Sequence, residues 1–281
     1  MKPRETSVVI VGGGMVGMTL AIALRRAGID VLVVDGAGPA LALTSEFDGR
    51  ASAIAHASVQ LLQATGIWAS VKEAQPIQDI RVSDGDSLMF LHYSHRELGL
   101  APFGTMVENR HLRLAQARTA AEAGVETIVG KVSAIETNAY AAEVTLENGI
   151  RIRTPLVVGA DGARSTVRGL AGIGTRGWNY GQTGIVLTVR HELPHGSIAH
   201  ERFLPAGPFA ILPLVGDRSS LVWTERADLA PAILELCKRR FQEELEARFG
   251  DFLGTLKPEG PRWSYPLALH QADSYIGERL A

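Results

Sequence analysis

The stretch Ser7 to Asp35, SVVIVGGGMVGMTLAIALRRAGIDVLVVD, constrains this chain more than any other. A β-branched run, Val8-Val9-Ile10-Val11, leads into three glycines. A helical segment follows from about Met15 to Ala27, closed by Gly28, and a second apolar run, Val31-Leu32-Val33-Val34, ends at Asp35. The spacing Gly12-x-Gly14-x-x-Gly17, with an acid 18 residues past the last glycine, predicts strand, turn, helix, strand. Each glycine has its own reason. Gly12 permits the tight turn off the strand, Gly14 lets a pyrophosphate approach the backbone, and Gly17 lets the helix pack closely. The helix N-terminus offers free N–H groups and a positive dipole end to phosphates. Asp35 can accept hydrogen bonds from a ribose diol. The expected ligand is an adenine dinucleotide.

Ser7 to Leu24 also reads as eighteen uncharged residues behind Lys2 and Arg4, with Ala21-Ile22-Ala23 imitating a cleavage site. A signal peptide or membrane span is the competing reading. Three consecutive glycines at its centre weaken that reading, and they fall where a nucleotide turn belongs. The length of 281 residues allows one large or two modest domains. A net charge of −2 gives no sign of a nucleic-acid surface. Cys237 is the single cysteine, so an intramolecular disulfide is excluded; it lies in a helical pattern and reads as a packing residue. No metal cluster and no Ser/His/Asp set stands out, and His56 and His111 read as structural. A cytoplasmic location fits.

Further along, residues 36–49 read as a loop. In Asp48-Gly49-Arg50-Ala51, Arg50 is either the partner of Asp48 or a pyrophosphate clamp. A helix is expected from near Ser58 to Thr65, with Gly66 past its end. Ile80–Ser83 and Leu88–Tyr93 flank Asp84-Gly85-Asp86 and predict a hairpin. A helix from Asn109, as N-cap, to Ala123 comes next. Short strands follow at Val125–Val129 and Lys131–Glu136. Glu143–Leu146 and Ile150–Arg153 flank Asn148-Gly149, the signal of a type I′ turn. Leu156–Ala160 reads as a buried strand breaking at Asp161-Gly162, with a helix starting at Ala163; this suggests a second contact to a dinucleotide. Strands are then expected at Gly184–Arg190, Ala199–Leu204, Phe209–Leu214 and Ser219–Thr224. One helix is expected over Pro231 to Phe249, and a final strand near Trp263–Leu267.

The order of these pieces resembles the FAD-dependent aromatic hydroxylases of the para-hydroxybenzoate hydroxylase fold, and within them the ubiquinone-biosynthesis branch. The resemblance is carried by the glycine pattern with Asp35, by Asp48-Gly49-Arg50-Ala51, and by Gly159-Ala160-Asp161-Gly162-Ala163-Arg164-Ser165-x-x-Arg168. The stretch Glu201 to Leu214 and Val222-Trp223-Thr224 are closest to that branch. The fold it implies is α/β: a Rossmann-like FAD-binding domain with an inserted antiparallel β-sheet substrate domain. The implied division is 1–76, 108–176 and 266–281 for the FAD-binding domain, and 77–107 and 177–265 for the substrate domain. The expected cofactor-binding set is Gly12, Gly14, Gly17, Asp35, Arg50, Arg110, Asp161, Gly162 and Arg164. No catalytic residue is assigned.

The implied reaction hydroxylates a polyprenyl phenol or quinol with FAD, O₂ and NADPH or NADH, the substrate lying beneath the β-sheet. Peripheral membrane or multi-enzyme association would suit such a substrate. The family's third motif, Gly-Asp-Ala-(Ala/Ser)-His, is expected directly after Ala281, where this sequence stops. The chain therefore resembles the first two-thirds of such an enzyme, expected to bind FAD weakly and not to hydroxylate. The alternatives are an FAD-binding module without turnover, or another flavin or NAD oxidoreductase. An ordinary NAD-dependent dehydrogenase is disfavoured by the late Asp-Gly motif and the β-insertion.

Overall fold

The computed structural model describes residues 3–38, 50–85, 87, 89–99 and 101–281. Asp48 and Gly49 of the second motif, and most of the expected loop before them, lie outside the described residues.

The glycine-rich segment forms the predicted strand Val8–Val11, helix Met15–Arg26 and strand Val31–Asp35. A four-stranded sheet runs Leu156–Gly159, Val8–Val11, Val31–Asp35, Glu126–Val129, every pair parallel. Its uninterrupted apolar runs are explained by cover on both faces. Val8, Ile10, Val31 and Val33 pack on the helix side with Ala21 and Met18. Val9, Val11, Leu32 and Val34 pack on the other side against Val132, Val144, Leu146 and Ile152. Those last residues belong to a meander of Val132–Thr137, Ala142–Leu146 and Arg151–Thr154. With a twelve-residue helix and a strand in its place, the segment is not a membrane span. Among the described residues no helix is long and apolar enough to cross a membrane.

A seven-stranded sheet makes the second core. Its order is Leu256–Ala272, Thr175–His191, Arg218–Arg226, Gly207–Leu214, Ile198–Leu204, Asp79–Asp84, Phe90–Ser94. Asp79–Asp84 and Phe90–Ser94 pair antiparallel, as the hairpin expectation requires, with Asp86 and Leu88 outside the described residues, and they join the sheet through parallel pairing of Asp79–Asp84 with Ile198–Leu204. One face is covered by the helix Lys238–Phe249. Phe241, Leu245 and Phe249 pack there on Ile185, Leu187, Phe209, Ile211, Leu221 and Trp223. Between the two cores, Ala51–Ala55, Gly104–Glu108 and Gln75–Ile77 form a small antiparallel sheet beside the helix His56–Ala64.

Several expectations are corrected. The helix expected over 231–249 is two, Ala230–Glu235 and Lys238–Phe249. At the break Arg262 Nη1 donates to the carbonyls of Leu234 and Leu236, both at 3.1 Å, so those acceptors are satisfied without a continuing helix. Cys237 is the exposed N-cap of the second helix, not a packing residue. The helix after Gly104–Glu108 has Glu108, not Asn109, at its N-cap; the Asn109 side chain instead accepts from Ser52 Oγ at 2.6 Å. The helix after the Asp-Gly turn begins at Thr166 rather than Ala163, capped by Ser165 Oγ, which accepts from the Arg168 N–H at 3.0 Å. The Asn148-Gly149 connection is not type I′, because only Gly149 has positive φ. Gly149 N–H donates to Leu146 C=O and Leu146 N–H to Ile150 C=O, both at 2.9 Å. This is a three-residue loop with glycine in the left-handed position.

Candidate functional site

The three motif glycines behave differently. Gly12 has φ +105, and a Cβ there would lie 2.4 Å from the Ala160 carbonyl oxygen. At Gly17 a Cβ would lie 2.0 Å from the Gly12 carbonyl oxygen, so this glycine lets the helix close onto the turn itself. At Gly14 nothing lies within 4 Å of that position. Gly14 is the N-cap of Met15–Arg26, which has no side-chain cap and no acid in its first turn. Its first N–H groups and dipole end therefore remain available to an anion.

Asp35 braces this turn. Its Oδ2 accepts from Gly13 N–H at 2.6 Å, and its Oδ1 from Ala37 and Gly38 N–H at 2.8 and 3.1 Å. Across the cleft, Asp161 Oδ2 accepts from the Thr166 and Val167 N–H groups at 2.6 and 3.2 Å. Asp161 Oδ1 is buried with no hydrogen-bond partner among the described residues. Gly12, Gly14, Asp35, Asp161, Gly162 and Lys131 all line one cleft of about 610 Å³. An open glycine, an uncapped helix start and an orphaned carboxylate oxygen fit the pyrophosphate and ribose hydroxyls of a dinucleotide. A second cleft of about 630 Å³, mostly apolar, lies on the other side of Gly13 and Asp35, against Met15, Met18, Leu114 and Ala117.

The arginines are placed elsewhere. Arg50 is not among the residues lining either cleft; its guanidinium lies 5.5 Å from the centre of the Tyr265 ring, on the seven-stranded sheet. Arg110 Nε donates to Glu108 Oε2 at 2.7 Å. Glu108 is buried and also receives Arg218 Nη1 at 3.1 Å, while Arg218 Nη2 reaches Glu73 at 3.4 Å. Glu73, Glu108 and His111 could in geometry hold a metal ion. Two guanidinium groups already answer Glu108, so we read the set as an ion-pair network joining the small sheet to the large one. Arg164 is exposed beyond the Asp-Gly turn.

The large sheet turns its second face toward the nucleotide-binding half. Ala199, Leu214, Ile80 and Leu212 pack there against Ile77, Met106, Ala51 and Phe103. Register places Val82, Glu201, Ala210, Val222, Val186 and Trp263 in one cross-strand row on this face. The parallel row Thr224, Gly184 and Tyr265 lies beside it. Trp263 Nε1 is buried without a partner among the described residues. The sequence places these residues on expected strands, several of them in the stretches that carry the resemblance, but assigns none of them to a site. Ala199 to Leu204 does not alternate between apolar and polar residues, so which parity faces the cofactor half is set by the pairing with 79–84 and 207–214.

A family described as FAD binding domain matches residues 5–260. The chain belongs to this FAD-binding family. It is 52% identical over 281 residues to a ubiquinone hydroxylase, UbiL, of Rhodospirillum rubrum, covering 99% of this chain and 65% of that protein. It is 34% identical to the 3-demethoxyubiquinol 3-hydroxylase of Escherichia coli, covering 100% of this chain and 73% of that protein. The chain thus spans about two-thirds of the length of these curated relatives. In fold it is similar to the Pseudomonas aeruginosa protein PqsL in complex with 2-aminobenzoylacetate, at TM-score 0.79 and 22% identity over 99% of this chain and 78% of that one. It is likewise similar to the flavin-dependent monooxygenase PieE in complex with FAD and substrate, at TM-score 0.77 and 17% identity over 99% of this chain and 52% of that one. The architecture is the para-hydroxybenzoate hydroxylase-like fold expected from the sequence.

Proposed function

We propose that this chain is the FAD-binding and substrate-binding part of a flavin-dependent aromatic hydroxylase acting on a polyprenyl phenol or quinol in ubiquinone biosynthesis. The observation that carries the reading is the single cleft shared by the open Gly14, Asp35 and the orphaned Asp161 Oδ1. FAD, reduced by NADH or NADPH, supplies the activation of O₂ for this chemistry. The chain's own residues do the rest. Gly14 and the start of Met15–Arg26 hold the pyrophosphate, Asp35 keeps the turn preorganised and meets the ribose, and Asp161 supplies a further acceptor. Arg50, over Tyr265, and Arg110, anchored on Glu108, stand at the junction of the two halves, where they orient cofactor and substrate. Gly162 lets the chain turn beside the cofactor, and Arg164 adds positive charge at the rim. In this reading residues 1–76, 108–176 and 266–281 serve the cofactor, and 77–107 and 177–265 serve the substrate. A polyprenyl substrate partitions into lipid, so a cytoplasmic enzyme would meet it at the membrane periphery or in a multi-enzyme assembly.

The test is to titrate the purified chain with FAD by quenching of flavin fluorescence, then to follow NADPH and NADH oxidation with a short-chain polyprenyl phenol. Saturable FAD binding that is lost in Gly14→Val is the expected result, and a hydroxylated product would overturn the expectation that this chain binds FAD weakly without hydroxylating. Absence of FAD binding would end the proposal. NAD(P)H oxidation without oxygen insertion would favour another flavin oxidoreductase.

A further inference from the structure

The face of the large sheet that meets the cofactor half is apolar along its central row except at one position. Val82, Ala210, Val222 and Val186 flank or continue from Glu201, and the row ends at Trp263. Glu201 is half-buried. Its strand neighbours on the same face are Ala199, packed into the junction with the small sheet, and Phe203, half exposed. The carboxylate therefore stands at the mouth of the junction. Beside it Ala210 is small and buried, and Val222 and Val186 extend the apolar face over two further strands, about 10 Å across. An acid placed among aliphatic residues with one small neighbour is a site for an apolar ring that carries one hydrogen-bond donor.

The other charged groups do not account for it. Arg81, His200 and Arg202 lie on the reverse face by register. Asp84 pairs with Phe203 on the same face and is exposed. The half opposite presents Arg50, held over Tyr265, and the set Glu73, Glu108, Arg110, His111 and Arg218. Burial raises the Glu201 carboxyl above its ordinary range, and among the described residues no cation pairs with it. A partly desolvated carboxylate that pairs with no cation among the described residues is a strong acceptor for a neutral O–H group.

We propose that Glu201 is the residue that accepts the ring hydroxyl of the phenolic substrate, an assignment that rests on the hydroxylase reading above. In the reaction the phenolic O–H bond breaks and a carboxyl O–H bond forms on Glu201. Charge is conserved at one negative unit, nothing is oxidised in this step, and the ring becomes richer in electrons where oxygen is inserted. Glu201 is thus a catalytic residue by contact with the substrate.

The test uses the chain saturated with FAD and two probes, 2-geranylphenol and its O-methyl ether, with dissociation constants measured by calorimetry at pH 8 and pH 5. The wild type is expected to prefer the phenol to the ether by about tenfold or more at pH 8, because a charge-assisted hydrogen bond is lost in the ether. That preference shrinks at pH 5 as the carboxylate takes up a proton. In Glu201→Gln it falls to about twofold at both pH values, with FAD affinity unchanged, since Glu201 lies outside the glycine cleft. Glu201→Asp restores part of the preference and its pH dependence, and carries the test if the Gln variant does not hold FAD. A merely structural role would weaken phenol and ether alike, and that result overturns the assignment. An undiminished phenol preference in Glu201→Gln also overturns it while leaving the hydroxylase reading intact. Failure of the FAD-loaded wild type to bind either probe removes both.

Discussion

The glycine cleft and the sheet face solve the problem of building a site in opposite ways. In the cleft the chemistry is done by backbone: N–H groups at a helix start, a turn held by Asp35, and close approaches that exclude a Cβ at Gly12 and Gly17. On the sheet face, under the proposal for Glu201, it would be done by side chains whose company is set by register across strands far apart in sequence. A backbone site is written locally and tolerates almost no substitution at a few positions. A side-chain site is written non-locally and tolerates many conservative changes provided the pairing survives.

The largest effect that would sharpen this contrast is expected at the sheet's reverse side. Phe241→Ala removes a fully buried ring packed on Trp223 and Arg262, and should destabilise the fold by about 3–5 kcal/mol in urea unfolding. If the two regions are energetically separate, FAD affinity measured below the unfolding transition stays the same. A parallel loss of FAD affinity would break the separation.

Gly12→Ala should come next. Its positive φ and the 2.4 Å approach of Ala160 oxygen predict destabilisation of about 1–3 kcal/mol together with loss of FAD retention. Gly14→Ala is the sharper partner experiment. The new Cβ meets no protein atom within 4 Å, so thermal melting of the apoprotein should barely move, while FAD titration weakens severalfold as the methyl enters the ligand's space. Equal effects of the two substitutions on apoprotein stability would contradict the backbone account of the cleft.

His200 gives a pH-dependent test of the sheet. Burial, aided by Arg81 and Arg202, lowers its pKa to about 4. A histidine depressed below its unfolded value of 6.5 takes up a proton more readily when unfolded, so its stability contribution is complete above that value. The contribution is lost as pH falls from 6.5 toward 4, by roughly 2 kcal/mol between pH 7 and pH 5. His200→Phe should remove that part of the slope in urea midpoints; an unchanged slope would mean that His200 is not desolvated as described. The smallest effect is expected for Cys237→Ser, exposed at a helix start, whose melting should match the wild type within about 0.5 kcal/mol.

Legibility in the sequence follows the same divide. The parallel core, the Gly12–Gly17 turn and the Asp161-Gly162 turn are readable because each is encoded within a few residues by apolar runs and glycine spacing. The single helix expected over 231–249 fails because its break is stabilised by Arg262, which is remote in sequence and acts through two carbonyls. The Asn148-Gly149 turn fails in a smaller way: the dipeptide favours two residues of positive φ, but pairing of Leu146 with Ile150 leaves a three-residue loop. Arg110 was readable as a residue of interest but not as a partner of buried Glu108, since Arg218 completes that network from another sheet. Glu201 lies in a stretch tied to the hydroxylase branch, but its facing was not legible because nothing local says which face of Ile198–Leu204 looks toward the cofactor half.

The parallel pairing of Asp79–Asp84 with Ile198–Leu204 has a consequence in time as well as in space. On the ribosome the 79–94 hairpin is complete long before its neighbour exists. At common synthesis rates the roughly hundred residues between them take about 5–20 s to appear. Through that interval the nascent chain carries a two-stranded hairpin with one strand edge unpaired and with Phe90, Leu91 and Tyr93 open to solvent, as they still are in the finished fold. Such a hairpin has little stability alone. The later strand Ile198–Leu204 covers that edge, and a chain released before its synthesis would present an unpaired strand suited to pairing with another copy rather than with itself.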